Sequence, residues 1–167
     1  MLCRRNAIGV IAFLGNAAVR AAARTADERS GDPASPLRSE RIMPVSTANE
    51  LVVSYLAAWN EQDAGQRRKL VATTWTDGGT YVDAHRRGDG HDGIDAMIGA
   101  VQRQLPGYRV RLVSKIEAHN DYIRFSWAAG GTEQAPLYLA GTDFLVIASD
   151  GRAQSVTGFV DAAPAGI

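Results

Sequence analysis

Residues 137–147 read Leu137-Tyr138-Leu139-Ala140-Gly141-Thr142-Asp143-Phe144-Leu145-Val146-Ile147. Their length and composition predict a β-strand, in which successive side chains point to opposite faces. Asp143 then shares one face with Leu139 and Leu145, and the other face is apolar as well. We therefore expect both faces of this strand to be covered and Asp143 to lie within the core.

A carboxyl in a predicted core is a candidate functional group. Burying it without a partner costs several kcal/mol, so it usually holds a proton or a hydrogen bond, and a raised pKa in an apolar site is typical of catalytic groups. The alternative is a satisfied structural Asp143 that caps a bulge or bonds a hydroxyl. This strand alone favours neither interpretation.

The composition predicts one domain. The chain has 167 residues, 46% of them hydrophobic, which suffices for one core. Basic and acidic residues both number 18, but seven Arg and four acids fall in residues 1–42, so residues 43–167 carry eleven basic against fourteen acidic residues. A mildly acidic domain does not favour nucleic acid as a partner. The only cysteine, Cys3, lies outside the predicted domain, which excludes a disulfide framework or thiol nucleophile there.

Residues 1–45 are interpreted as a disordered extension before a domain at 46–167. Residues 1–23 contain the pair Arg4-Arg5, a short apolar run and an alanine triplet, a weak secretory signal. A start codon placed too far upstream explains the extension as well, because Met43 and a proline directly precede the first helical pattern. The apolar run is too short to span a membrane. We expect a cytoplasmic protein, or an exported one if the signal is genuine.

Three helical patterns come first. The first begins at Ser46 or Thr47 as N-cap, and the second begins after Asp63 with its Arg67-Arg68-Lys69 run in solvent. The third has Asp92 as N-cap and ends before a Pro-Gly pair. The apolar stripes of the first and third helices comprise Leu51, Val52, Tyr55, Leu56, Trp59, Ile94, Met97, Ile98, Val101 and Leu105.

Strand patterns occupy the rest of the chain. Before the third helix we predict a turn at Thr76–Gly79, a short strand at Thr80–Asp83 and a polar loop at 84–91. After Gly107 we predict antiparallel sheet with hairpin turns at 120–121 and 150–151. Its strands are Arg109–Ala118, Tyr122–Ala129, Pro136–Ser149 and Arg152–Val160. This order predicts an α+β domain, with a curved antiparallel sheet wrapped around the helices and a cone-shaped interior.

The order of elements resembles the nuclear transport factor 2-like superfamily over about residues 47–162. Within it, the chain most resembles the SnoaL-like polyketide cyclases and the ketosteroid isomerases. The resemblance implies a nuclear transport factor 2-like, cystatin-like fold and a buried apolar pocket for a small carbonyl- or ring-containing compound. The strings that carry it are Val53–Asn60, Tyr81-Val82-Asp83, Gly93-Ile94, Thr142-Asp143-Phe144 and Asp150-Gly151-Arg152.

The resemblance also implies roles for three residues. In the isomerases a tyrosine on the first helix and a protonated aspartic acid form an oxyanion hole, and a second aspartate moves the proton. Tyr55, Asp143 and Asp83 match these positions respectively, and the cyclases also use an acid in the strand that holds Asp143. We expect Asp143 to be protonated near neutral pH and close to the Tyr55 hydroxyl.

The implied function is acid/base catalysis of the isomerase, cyclase or dehydratase type, without a cofactor. A non-catalytic small-molecule-binding or dimerisation module is the alternative, because a fold does not fix a function. The residues leave structural alternatives open too. Tyr55 could be an ordinary core tyrosine, and Asp83 could cap the loop that follows its strand.

The loop after Asp83 departs from the isomerase pattern, since Ala84-His85 stands where a proline is usual. His85 is therefore a second candidate for the general base, because imidazole titrates near neutral pH. Asp83, His85 and His91 together could also form a metal site, but their loose spacing favours exposed histidines and no metal.

Aromatic residues in the predicted elements are expected to pack the core, and some of them to line the pocket. Strands with Tyr, Phe and Val on both faces leave apolar area to cover, which predicts a homodimer through the sheet. The expected ligand is a small hydrophobic molecule. The aromatic candidates are Trp59, Tyr81, Phe125, Trp127 and Phe159.

Overall fold

The computed structural model describes residues 44–164 as three helices and one curved seven-stranded sheet. The predictions for the N-terminal extension lie outside these residues. The predicted α+β class is confirmed. The helices are α1 (Val45–Asn60), α2 (Ala64–Thr74) and α3 (Gly90–Gln104). The strands are β1 (Trp75–Val82), β2 (Arg87–Asp89), β3 (Val110–Leu112), β4 (Glu117–His119), β5 (Tyr122–Gly130), β6 (Tyr138–Ile147) and β7 (Ala153–Ala162).

One face of the sheet packs against the helices, and the alternation of β6 shows which. Leu139, Asp143 and Leu145 are buried on that face, as expected. The expectation that the opposite face is also covered is wrong for the single chain, because the Phe144 side chain is 43% exposed. Tyr55 joins α1 to the sheet, with its ring centroid 5.4 Å from that of Phe125.

The strand order places β1 inside the sheet rather than at its edge. The sheet runs β2-β1-β7-β6-β5-β3, and β4 pairs with β5. The pairs formed by β3 to β7 are antiparallel, as predicted, whereas β1 runs parallel to β7. Val82 pairs with Thr157 in that register. The end of β1, where Asp83 follows, therefore lies beside the middle of β7.

Several boundaries differ from the predicted ones for local reasons. The predicted turn Thr76–Gly79 lies inside β1, where the register with β7 shifts. Turn-forming residues thus make a bulge instead of ending the strand. The predicted loop 84–91 contains β2, and α3 begins after Asp89 rather than Asp92. Similarly, α1 begins after Pro44, two or three residues before the predicted N-caps Ser46 and Thr47.

The β-strand predicted at Arg109–Ala118 is also divided. It forms two short strands, β3 and β4, which both pair with β5. Between them, the Ser114 hydroxyl accepts the backbone N–H of Ser126, so a side chain replaces a ladder bond at the break. The sequence pattern gives the extended conformation of this segment but does not reveal its interruption.

Arg67 contradicts the expectation that the whole Arg67-Arg68-Lys69 run lies in solvent. It is only 6% exposed, and its guanidinium donates to Asp95 at 2.7 Å and to Gln102 at 2.9 Å. Gly99 leaves room for it, since a Cβ there would lie 3.0 Å from the guanidinium. Gln102 in turn donates to the backbone carbonyls of Trp59 and Glu61. This network fixes the end of α1 against α3.

No helix within residues 44–164 has the length and apolar character needed to cross a membrane.

Candidate active site

A cavity lies between α1, α3 and the buried face of the sheet. Its volume is about 90 Å³, and most of its wall is apolar. The charged side chains that line it are Asp83, Arg86 and Asp143, with His85 beside them. Asp143 is 1% exposed, whereas His85 is exposed, so the cavity has a closed end at Asp143 and an open end at His85.

Asp143 is held by two donors at the closed end. The Tyr55 hydroxyl donates to its Oδ2 at 2.6 Å, and the Trp127 indole N–H donates to its Oδ1 at 3.0 Å. Burial raises the pKa of Asp143 to about 6, and the two hydrogen bonds oppose part of that rise. The expected proximity to Tyr55 is present. The raised pKa has the direction expected for a protonated acid, and it brings the titration of this carboxyl close to neutral pH.

The Tyr55 hydroxyl keeps its proton and acts as a donor. Burial and then the neighbouring Asp143 carboxyl raise the pKa of Tyr55 well above its usual value. Trp59 is close enough to this hydroxyl to offset a smaller part of that rise. Its buried indole N–H nevertheless has no acceptor at hydrogen-bonding geometry within the described protein. Trp59, whose side chain lines the cavity, therefore has a buried donor without a protein acceptor.

Asp83 has a different environment from Asp143. Its Oδ1 accepts the backbone N–H groups of His85 and Arg86, both at 2.7 Å. Its Oδ2 accepts the Tyr81 hydroxyl at 3.2 Å and lies 3.7 Å from the Arg86 guanidinium. This geometry matches the loop-capping alternative, because both oxygens already have partners. Burial, followed by the Asp143 and Asp83 carboxyls, raises the pKa of Tyr81, so its hydroxyl also stays protonated.

Gly158 allows these groups to meet. It pairs with Asp143 across β6 and β7, and a Cβ on it would lie 2.9 Å from both the Asp143 Oδ1 and the Tyr81 hydroxyl oxygen. The same Cβ would lie 3.4 Å from the Cβ of Asp83. The sequence analysis did not single out Gly158. A glycine inside a predicted strand indicates close approach by another group, and that signal was available.

The five aromatic candidates for the cavity lining have different positions. Trp59, Tyr81 and Trp127 line the cavity, as expected. Phe125 is buried and packs edge-on against Tyr55, outside the cavity lining. Phe159 was placed wrongly, because it is 55% exposed on the open face of the sheet.

The histidines do not form a metal site. The His91 Nε2 lies 2.9 Å from the Trp75 backbone oxygen, and His91 is absent from the cavity lining that includes Asp83 and His85. Within residues 44–164, no three His, Cys, Asp or Glu side chains are grouped closely enough to hold a metal ion.

We predict that Gly158→Ala disturbs the site, since its methyl group must displace the Asp143 carboxyl or the Tyr81 hydroxyl. Overpacking of this kind costs about 1–3 kcal/mol of unfolding free energy, measurable by urea denaturation. Gly78→Ala is the matched control, because nothing lies within 4 Å of its added Cβ. Equal effects of the two substitutions would contradict the assigned close approach.

We also predict a specific pH dependence from Asp143. Its folded pKa of about 6 exceeds the ordinary 3.8, so its favourable contribution is complete below about pH 3.8 and is lost as pH rises through about 6. The full change is about 3 kcal/mol. Asp143→Asn removes this titration while keeping the shape. Urea denaturation should therefore show wild type losing stability relative to the variant from pH 4 to 7, and a relative gain would contradict the assignment.

A scan against family models and a search of curated proteins find no match to the sequence. Solved structures do match. A candidate isomerase of the SnoaL-like family from Agrobacterium tumefaciens strain C58 is 37% identical, with a TM-score of 0.66, over 70% of this chain and 99% of that chain.

Two further structures show the shared fold alone. A candidate SnoaL-like polyketide cyclase from Jannaschia sp. CCS1 is 17% identical, with a TM-score of 0.57, over 78% of this chain and 92% of that chain. TerC, co-crystallised with polyporic acid, is 14% identical, with a TM-score of 0.55, over 69% of this chain and 92% of that chain. The 37% identity over nearly all of the Agrobacterium protein carries more weight. This chain belongs to the SnoaL-like family.

Proposed function

We propose that this protein is a cofactor-independent acid/base catalyst that moves a proton on a small carbonyl- or ring-containing compound, with Asp143 as the base. The observation that carries the proposal is a carboxyl with a pKa of about 6 at the closed end of a largely apolar cavity. A general base works best when its pKa lies near the working pH. A carboxyl that titrates this close to neutral pH can both accept and release a proton there.

The proposed reaction begins with transfer of a proton from a carbon next to a carbonyl to the Asp143 carboxylate. The electron pair of the C–H bond forms a C=C bond, and the π pair of the carbonyl moves to its oxygen, which gives an enolate. Where the substrate carries an adjacent C=C bond, the enolate is conjugated, and neutral Asp143 returns the proton to the far carbon of that bond, which completes an isomerisation. In a cyclisation, the enolate carbon attacks a second carbonyl, and Asp143 protonates the new alkoxide.

Trp59 is the proposed donor to the enolate oxygen. Its N–H is buried and lacks a partner within the described protein, and the Trp59 side chain belongs to the cavity lining. A ligand oxygen would satisfy this donor, and a donor fixed in an apolar site stabilises developing negative charge. Tyr55 instead positions Asp143, because its hydroxyl already donates to that carboxylate.

This assignment departs from the isomerase pattern, in which the strand-end aspartate is the base. Asp83 is less suited to that role here, since it accepts three hydrogen bonds, two of them from backbone N–H groups of its own loop, whereas Asp143 accepts two. The Agrobacterium relative is named as a candidate isomerase, which supports the reaction class but not a substrate. A non-catalytic binding module remains the alternative, and the satisfied hydrogen bonds of Asp143 favour it.

The test is proton exchange on 2-tetralone, an uncharged bicyclic ketone with acidic C–H groups. In D₂O, NMR should show faster deuterium incorporation with wild type than in buffer, with a rate that rises through about pH 6 as Asp143 ionises. Asp143→Asn should lose about 100-fold or more of this rate. The control is Asp150→Asn, whose carboxyl pairs with Arg152 away from the cavity lining.

Two other results of this experiment would change the proposed roles. Retained exchange in Asp143→Asn, with loss in Asp83→Asn, would return the role of base to Asp83. Binding of 2-tetralone by wild type without any exchange above buffer would support the binding module instead of the catalyst.

We further propose that the open face of the sheet pairs with a second copy of the chain. Phe144 and Phe159 are both exposed there and contact each other edge-on, with centroids 6.0 Å apart. Adjoining exposed aromatic side chains are typical of an interface, and a single self-complementary face closes as a dimer.

Phe159→Lys should therefore shift the protein from dimer to monomer, because it places a charge in the apolar contact. Light scattering at micromolar concentration measures the mass. Val53→Lys, at an exposed position on α1, should leave the mass unchanged. A monomeric wild type, or an unchanged mass in Phe159→Lys, would contradict this interface.

A further inference from the structure

The guanidinium of Arg86 lies in the wall of the cavity, near its open end. The Arg86 side chain is only 24% exposed. Its neighbour Arg87 differs, because its side chain is 65% exposed and makes two hydrogen bonds to Asp89 at 2.8 Å. Two adjacent arginines thus have opposite environments, and only Arg86 faces the cavity.

Arg86 makes little use of its hydrogen-bonding capacity within the described part of the chain. Its only charged partner there is the Asp83 Oδ2 at 3.7 Å, beyond hydrogen-bonding distance. Asp83 has little capacity left to accept hydrogen bonds from the Arg86 guanidinium, since it already accepts three others. A guanidinium carries five N–H donors in a planar fork that matches a carboxylate. A half-buried fork without hydrogen bonds to the described protein is suited to a ligand that brings its own anionic acceptor.

The distribution of charge in the cavity determines where such a ligand group can lie. Asp143 at the closed end repels an anion when it is ionised, and the neighbouring Asp83 carboxyl adds a second acidic group to the lining. Among the described residues, Arg86 supplies the only guanidinium in the lining, at the open end. An anionic group at Arg86 would therefore leave the uncharged part of the ligand extending through the apolar middle of the cavity toward Asp143.

We propose that Arg86 binds a carboxylate of the substrate, so that the substrate is a small carboxylic acid with an apolar ring body. This inference rests on the proposed function and specifies its substrate class and orientation. The carboxylate forms a charge-assisted pair with the guanidinium at the mouth, and the reacting carbon lies at the Asp143 end. Arg86 is then a specificity residue, which distinguishes acids from uncharged compounds of the same shape.

The test compares the binding of 2-naphthoate and 2-naphthamide, which share a ring and differ in charge. Quenching of tryptophan fluorescence reports binding, because Trp59 and Trp127 line the cavity. Wild type should bind naphthoate about tenfold more tightly. Arg86→Gln should remove that preference while keeping naphthamide affinity, which shows that the cavity is intact. Arg87→Gln is the matched control and should keep the preference.

Equal binding of the two probes by wild type would overturn the Arg86 subsite and leave the proposed acid/base function standing. A preference that survives in Arg86→Gln, or is lost equally in Arg87→Gln, would also overturn it. Failure of wild type to bind either probe would count against both the subsite and the proposed ring-containing substrate.

Discussion

The burial of one carboxyl is the constraint on which the rest of this structure depends. Asp143 lies on the covered face of β6 and would be costly there without donors. Tyr55 from α1 and Trp127 from β5 supply them, one for each carboxyl oxygen. The position of α1 is therefore part of the site. The polar network from Arg67 through Gln102 to the end of α1 helps to fix that helix.

The two carboxyls of the cavity illustrate how environment divides roles between similar groups. Asp83 accepts backbone N–H groups at the open end and holds its loop. Asp143 sits in an apolar end where burial raises its pKa to about 6. Carboxyls in such different surroundings can take different roles within one site. Tyr81 lies near both carboxyls, and Gly158 provides the space for this arrangement.

Periodicity in the sequence was enough to predict the α+β class, the antiparallel meander and the shared face of Asp143 and Leu145. The resemblance to a known superfamily added the pairing of Asp143 with Tyr55. The error at Phe159 has a clear cause. Alternation separates the two faces of a strand but does not say which one is covered, so Phe159 was assigned to the pocket although it faces outward.

Other features of the site depend on contacts between distant parts of the chain. The parallel pairing of β1 with β7 brings Asp83 beside Gly158, and no local pattern predicts that pairing. Arg67 looked like one of three exposed cations, but the missing side chain of Gly99 leaves room to bury it. Arg86 and Arg87 are neighbours of the same type, and only the tertiary structure separates their environments.

The central claim is that Asp143 titrates near neutral pH at the closed end of the cavity. The most direct measurement is an NMR titration of the side-chain carboxyl carbon of Asp143, assigned by its absence in Asp143→Asn. The structure predicts a midpoint of about 6. A midpoint at or below about 4, the ordinary value for an aspartic acid, would contradict the claim and remove the basis for Asp143 as the catalytic base.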